Sequence, residues 1–96
     1  MSIENTLDLP EEISIANITE WKTKFVNFSM EPTPLLLNAE RLERVDTAAM
    51  QLMLAFVNKA RAEDKSITWD KPSSAFLNMA KQLGLTDALQ LTEKID

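Results

Sequence analysis

PLLLNAERLERVDTAAMQLMLAFVNKARAEDKSITWD, residues 34–70, carries two apolar runs with a long periodic segment between them. The first run, PLLLNA (34–39), is short and continuous, the pattern of a central strand buried on both faces. The second, SITWD (66–70), alternates Ile67 and Trp69 and reads as another strand. Between them AERLERV (39–45) is a connection, and a helix begins near Asp46 or Thr47. That helix runs to about Glu63, where RAEDKS (61–66) is polar and turn-like. A strand, a helix and a second strand in this order predict a parallel pair joined by a right-handed crossover.

The flanking sequence extends the alternation. SIENTLDLP (2–10) puts Ile3, Leu7 and Leu9 on one parity, a strand with one buried face that Pro10 ends. In NITEWKTKF (17–25), Asn17 followed by Glu20 fits a capping box. Ile18, Trp21, Phe25 and Phe28 then follow helical spacing, with Lys22 and Lys24 on the other side. Trp21 reads as a core residue rather than a ligand site. EPTP (31–34) is a loop. KPSSAFLNMAKQLGL (71–85) is a further helix, capped by Ser73 or Ser74 and stopped by Gly84. Phe76, Ala80 and Leu83 share its apolar face, and TDALQL (86–91) adds a terminal helical turn. Strand and helix alternate three times. The expected fold is α/β: a small mixed, largely parallel β-sheet with helices packed on it, in a single domain spanning 1–96.

Composition narrows the chemistry. The 96 residues include no Cys and no His. Thiol nucleophiles, Cys-zinc sites and disulfides are excluded, and the commonest general base and metal ligand is missing. No enzyme is expected, and no cofactor. No Gly-rich phosphate loop supports nucleotide binding, and the scattered acids lack calcium-loop spacing, so no metal is expected. The net charge of −5 opposes nucleic-acid binding. The longest apolar stretch, 48–57, is too short to span a bilayer and is interrupted by Gln51, so direct membrane insertion is not expected. With no signal-peptide pattern at the start, the expected location is cytoplasmic.

The long helix has two faces at about 100° per residue. Ala49, Leu52, Met53, Phe56 and Ala60 form the natural core side. Thr47, Met50, Gln51, Leu54 and Asn58 cluster opposite, and two of those five are large and apolar. Three readings are open: isolated exposed apolar groups, a second layer that covers them, or a docking patch beside Thr47. Thr47 itself has two readings that do not exclude each other. Asp and Thr both suit an N-cap. A hydroxyl at a helix N-terminus is also within reach of a partner, and a phosphate there adds about −1.5 to −2 charge beside the positive end of the dipole.

PLLLNAERLERVDTAAMQLMLAFVNKARAEDKSITW (34–69) followed by SSAFLNMAKQLGL (73–85) resembles the STAS domain family of bacterial anti-sigma factor antagonists. The family pattern is an apolar strand, a short connection, then Asp–Ser/Thr–Ser/Thr/Ala–Gly opening a helix, a further strand and a helix ending in Gly–Leu. The resemblance covers about 34–91. It implies that Asp46 is the family's aspartate and Thr47 the hydroxyl residue that is phosphorylated in classical members. Ala48 and Ala49 complete the acceptor loop, with Ala49 in place of the usual glycine and Met50 where Leu is usual. The implied function is a non-enzymatic regulatory protein-binding module. Its partner would be a serine/threonine-kinase-type anti-sigma factor or a related histidine-kinase-fold protein that phosphorylates Thr47. Met50, Gln51, Leu54 and Asn58 would supply the adjoining surface.

The resemblance also implies an alternative. Some STAS proteins are constitutive subunits, including those of phospholipid-transport ABC systems, and small stand-alone members accompany chemotaxis signalling. Thr47 would then be an unmodified contact. A phosphopantetheine carrier is a third possibility, since such carriers are small and acidic with Asp–Ser–Leu at a helix start. Here Thr and Ala stand instead, and the strand-like runs do not suit an all-helical carrier.

Overall fold

All three expected strand–helix pairs form, in a computed structural model that describes residues 5–91. In chain order the elements are β1 (Asn5–Asp8), β2 (Glu12–Ile13), α1 (Ile18–Ser29), β3 (Leu35–Asn38), β4 (Arg44–Val45), α2 (Thr47–Ala62), β5 (Ile67–Asp70) and α3 (Ser74–Gln82). β3 lies between β1 and β5, and both ladders are parallel. Leu35 faces Asn5 on one side and Ile67 on the other. This central place explains the uninterrupted apolar run. Leu35 and Leu37 are fully buried on one face and Leu36 is half-buried on the other. Ile3, expected in the first strand, lies outside the described residues. Leu7 is half-buried, and Leu9 is buried just beyond the strand's end.

The connection 39–45 and the stretch before α1 each hold a two-residue strand that periodicity could not reveal. β2 and β4 pair in parallel, with Glu12 opposite Arg44 and Ile13 opposite Val45. The chain leaves β2 toward α1 and leaves β4 directly into α2. The short pair therefore sets the beginnings of the two helices side by side.

Asn17 occupies the N-cap of α1, but the expected capping box does not form. The Asn17 side chain turns back instead. Its Oδ1 accepts the Ser14 N–H at 2.8 Å and its Nδ2 donates to the Glu12 carbonyl at 2.9 Å. It folds the loop after β2 rather than closing the helix. Trp21, Phe25 and Phe28 are buried as expected, with Lys22 and Lys24 exposed. At the other end, Lys65 donates to the Ser29 carbonyl and, at 3.2 Å, to the Glu31 carbonyl. At Ser29 the cation satisfies a carbonyl that the helix leaves unpaired.

α2 lies against α1 through Phe56, whose ring sits 5.2 Å from Phe25 and 6.0 Å from Phe28, centroid to centroid. Its buried side is broader than the sequence suggests. Met50 and Val57 are fully buried along with Ala49, Met53 and Ala60. They stand seven residues apart on the flank away from Phe56. α2 touches β4 as well as α1, so apolar groups are needed on both flanks. Met50 is thus a core residue, which removes it from the expected docking patch. Leu52, expected in the core, is only half-buried.

α3 begins as expected. Ser73 Oγ accepts the Phe76 N–H at 3.1 Å and donates to the Leu42 carbonyl. Phe76 and Ala80 are buried, but Leu83 is 39% exposed. It is the C-cap, where the regular face has ended, and Gly84 follows at φ 69°. Residues 86–90 make the expected single helical turn, with the Leu89 N–H donating to the Leu85 carbonyl and Gln90 closing it at φ 63°. They are held to the sheet by Trp69, whose indole N–H donates to the Leu89 carbonyl at 2.7 Å. Among the described residues no helix is long and apolar enough to cross a membrane.

Candidate functional site

The β2–β4 pair determines the geometry at the start of α2. Ile13 and Val45 are in register, so the chain two residues past Ile13 arrives beside the residue that follows Val45. There Asp46 makes two hydrogen bonds with its two carboxylate oxygens. One accepts the Ala49 N–H at 2.9 Å and caps α2. The other accepts the Ile15 N–H at 2.9 Å and fastens the loop after β2. The cap is therefore Asp46, and the capping role considered for Thr47 is corrected: Thr47 is the first residue of the helix.

These amide dipoles favour the charged carboxylate. The Ala49 N–H, then the Ile15 N–H, hold Asp46 below the usual carboxylate range. A depressed folded pKa gives stability that is complete above the unfolded value and is lost as the pH falls through the folded one. Asp46→Asn keeps an acceptor for the cap but has only one carbonyl oxygen for two N–H groups. It should lower stability by about 1 kcal/mol near neutral pH. The gap to the wild type should close as the pH falls below about 4. Urea unfolding of both proteins across that range checks it, and a gap that stays constant into acid would contradict the assignment.

With the cap supplied by its neighbour, the Thr47 side chain is exposed and makes no hydrogen bond among the described residues. Ala48 is half-buried, and Ala49 is fully buried with only a methyl group. Of the adjoining positions, Gln51 and Asn58 are exposed and Leu54 is half-buried against the core. Thr47, Gln51, Leu54 and Asn58 thus share the open side of α2, while Met50 points inward. Sequence reasoning misses one neighbour. Ile15 is 73% exposed and is tied by its backbone to Asp46. Its signal in the sequence is an isoleucine between strand and helix signals, belonging to neither periodicity.

The start of α2 is open to contact from solvent. It offers a reachable hydroxyl, a fixed carboxylate and an exposed apolar side chain. Among the described residues no cluster of three His, Cys, Asp or Glu could hold a metal ion. Glu11, Glu12, Glu43 and Arg44 line a polar depression of ≈ 210 Å³ along the β2–β4 edge.

Comparison with known families gives an independent result. A family model described as "Mlab, STAS domain" matches residues 2–93. No curated protein sequence matches the chain.

Proposed function

The chain belongs to the STAS domain family, whose members generally act in regulatory protein interactions, and from that membership we propose that it is a binding module switched at Thr47. In this reading the unmodified domain presents Ile15, Thr47, Gln51, Leu54 and Asn58 to a kinase-type protein partner. The partner transfers the γ-phosphoryl group of its own bound ATP to the Thr47 hydroxyl, releasing ADP and a proton, and the complex weakens. The observation that carries the reading is the division of labour at the helix start. Asp46 does the capping, so the Thr47 hydroxyl is left exposed with no structural duty. A phosphate there lies at the positive end of α2, which the fold tolerates, but it brings charge to a surface that includes exposed Ile15.

The second reading keeps the same surface and drops the switch. The domain is then a constitutive subunit of a larger assembly and Thr47 an unmodified contact. Ile15 favours it, because a large apolar group held 73% exposed by a fixed backbone suits a permanent interface. Intact mass with site mapping separates the two, using wild type and Thr47→Ala from the native cells, with and without phosphatase. The switch predicts a phosphate on Thr47 that phosphatase removes and the variant lacks. An unmodified chain at fixed stoichiometry with its partner, unaffected by phosphatase, would overturn it.

A further inference from the structure

Charge is not spread evenly over this acidic protein. The chain has 10 bases and 15 acids, but α1 and α2 together carry four bases, Lys22, Lys24, Lys59 and Arg61, against the single acid Glu20. Between these two helices runs an apolar groove of ≈ 130 Å³. Phe25, Val26, Leu52, Ala55 and Phe56 line it together with Lys22 and Lys59. The lining exposes almost no polar surface. Two of the large apolar groups that are most exposed in the described residues lie near it, one on α1 and one at its C-cap. Val26 is 44% exposed and Met30, one turn further, is 70% exposed.

We propose that the groove between α1 and α2 is a docking site for an acidic amphipathic segment of a protein partner, which places one large apolar side chain between Val26 and Ala55 and its carboxylates beside Lys22 and Lys59. The size fits one such anchor, since a cavity of about 150 Å³ lined by aliphatic and aromatic groups takes up a benzene ring. The charge fits as well. Lys22 has no ion pair among the described residues. Lys59 is held only by Glu63, 2.8 Å away, in an exposed i,i+4 pair. Such a pair, with both partners in water, is weak and exchanges readily for another carboxylate. A concave site with two cations in its lining selects a side chain with acidic neighbours. A lipid surface would call for a denser set of bases around a protruding apolar face. The site is separate from Thr47 and does not rest on the reading given for it.

The test selects peptides from a displayed library of helical sequences on the full chain. It then measures the affinity of a recovered peptide for wild type, the double variant Lys22→Glu/Lys59→Glu, and Ala55→Glu. All three positions are exposed, so the core is untouched, and circular dichroism verifies each fold. The expected peptides carry Leu, Met or Phe flanked by Asp or Glu. Their affinity falls roughly tenfold or more in each variant, and their binding shifts the amide resonances of Val26, Leu52 and Ala55. Recovery of basic or uncharged peptides would overturn the proposal, as would affinities that ignore the substitutions or shifts confined to the Ile15–Thr47 end. Anionic phospholipid vesicles run in parallel; binding to them that depends on Lys22 and Lys59, with no acidic peptide recovered, would also overturn it.

Discussion

Phe56→Ala loses about 3–5 kcal/mol of stability. Phe56 is 4% exposed and contacts the rings of both Phe25 and Phe28. It is the place where α2 meets α1, and no neighbour can move in without breaking that packing. Domains of this kind have total stabilities of about 5–15 kcal/mol, so the variant keeps only a part of its margin. Equilibrium urea unfolding gives the number. Phe56→Leu, which leaves most of the volume in place, should lose clearly less. A loss below about 1 kcal/mol for Phe56→Ala would mean that the two helices are not held by this cluster.

Thr47→Glu should move stability and binding in opposite directions. A carboxylate in the first turn of α2 meets the helix dipole and leaves stability unchanged or raised by about 0.3–1 kcal/mol. The same charge, standing where the proposed interface closes, should weaken binding of the native protein partner roughly tenfold or more. Thr47→Ala should bind nearly as well as wild type if the hydroxyl serves only to receive a phosphate. The comparison is made by titrating the partner purified from native cells against the three proteins, with unfolding curves alongside. Equal losses in Thr47→Ala and Thr47→Glu would instead make the hydroxyl a contact that the complex always needs.

Long periodic segments are legible in the amino-acid order itself. The run at 35–38 gives away the central strand because only a doubly covered position tolerates continuous leucine, and α2 follows from its 3.6-residue repeat. The two-residue strands are not legible, since Glu12–Ile13 and Arg44–Val45 are too short to show any period. Much of the candidate site depends on them. Asp46 and Thr47 stand out by residue type, but their separate duties do not, because Asp and Thr both serve well as caps. Ile15 escapes notice because its link to Asp46 spans 31 positions of sequence. Met50 is misplaced by helical angle alone, which does not say how many neighbours a helix has, and here α2 is covered on both flanks.

The sheet register has a kinetic consequence. Asn5 pairs with Leu35, and Leu35 pairs with Ile67, so each ladder closes a loop of about thirty residues. Among the described residues no strand pairs with a near neighbour in sequence by a hairpin within that sheet. The entropy of closing those loops is spent before either ladder gives anything back. α1 and α2 are what fill the two loops, so each must be largely formed and docked for its ladder to hold. A fragment ending before Ile67 would leave β3 with one bare edge and no cover for Leu37 from Trp69. Closure of both ladders ties the two halves of the chain into one sheet, and their long loops place this fold among the slower-folding topologies.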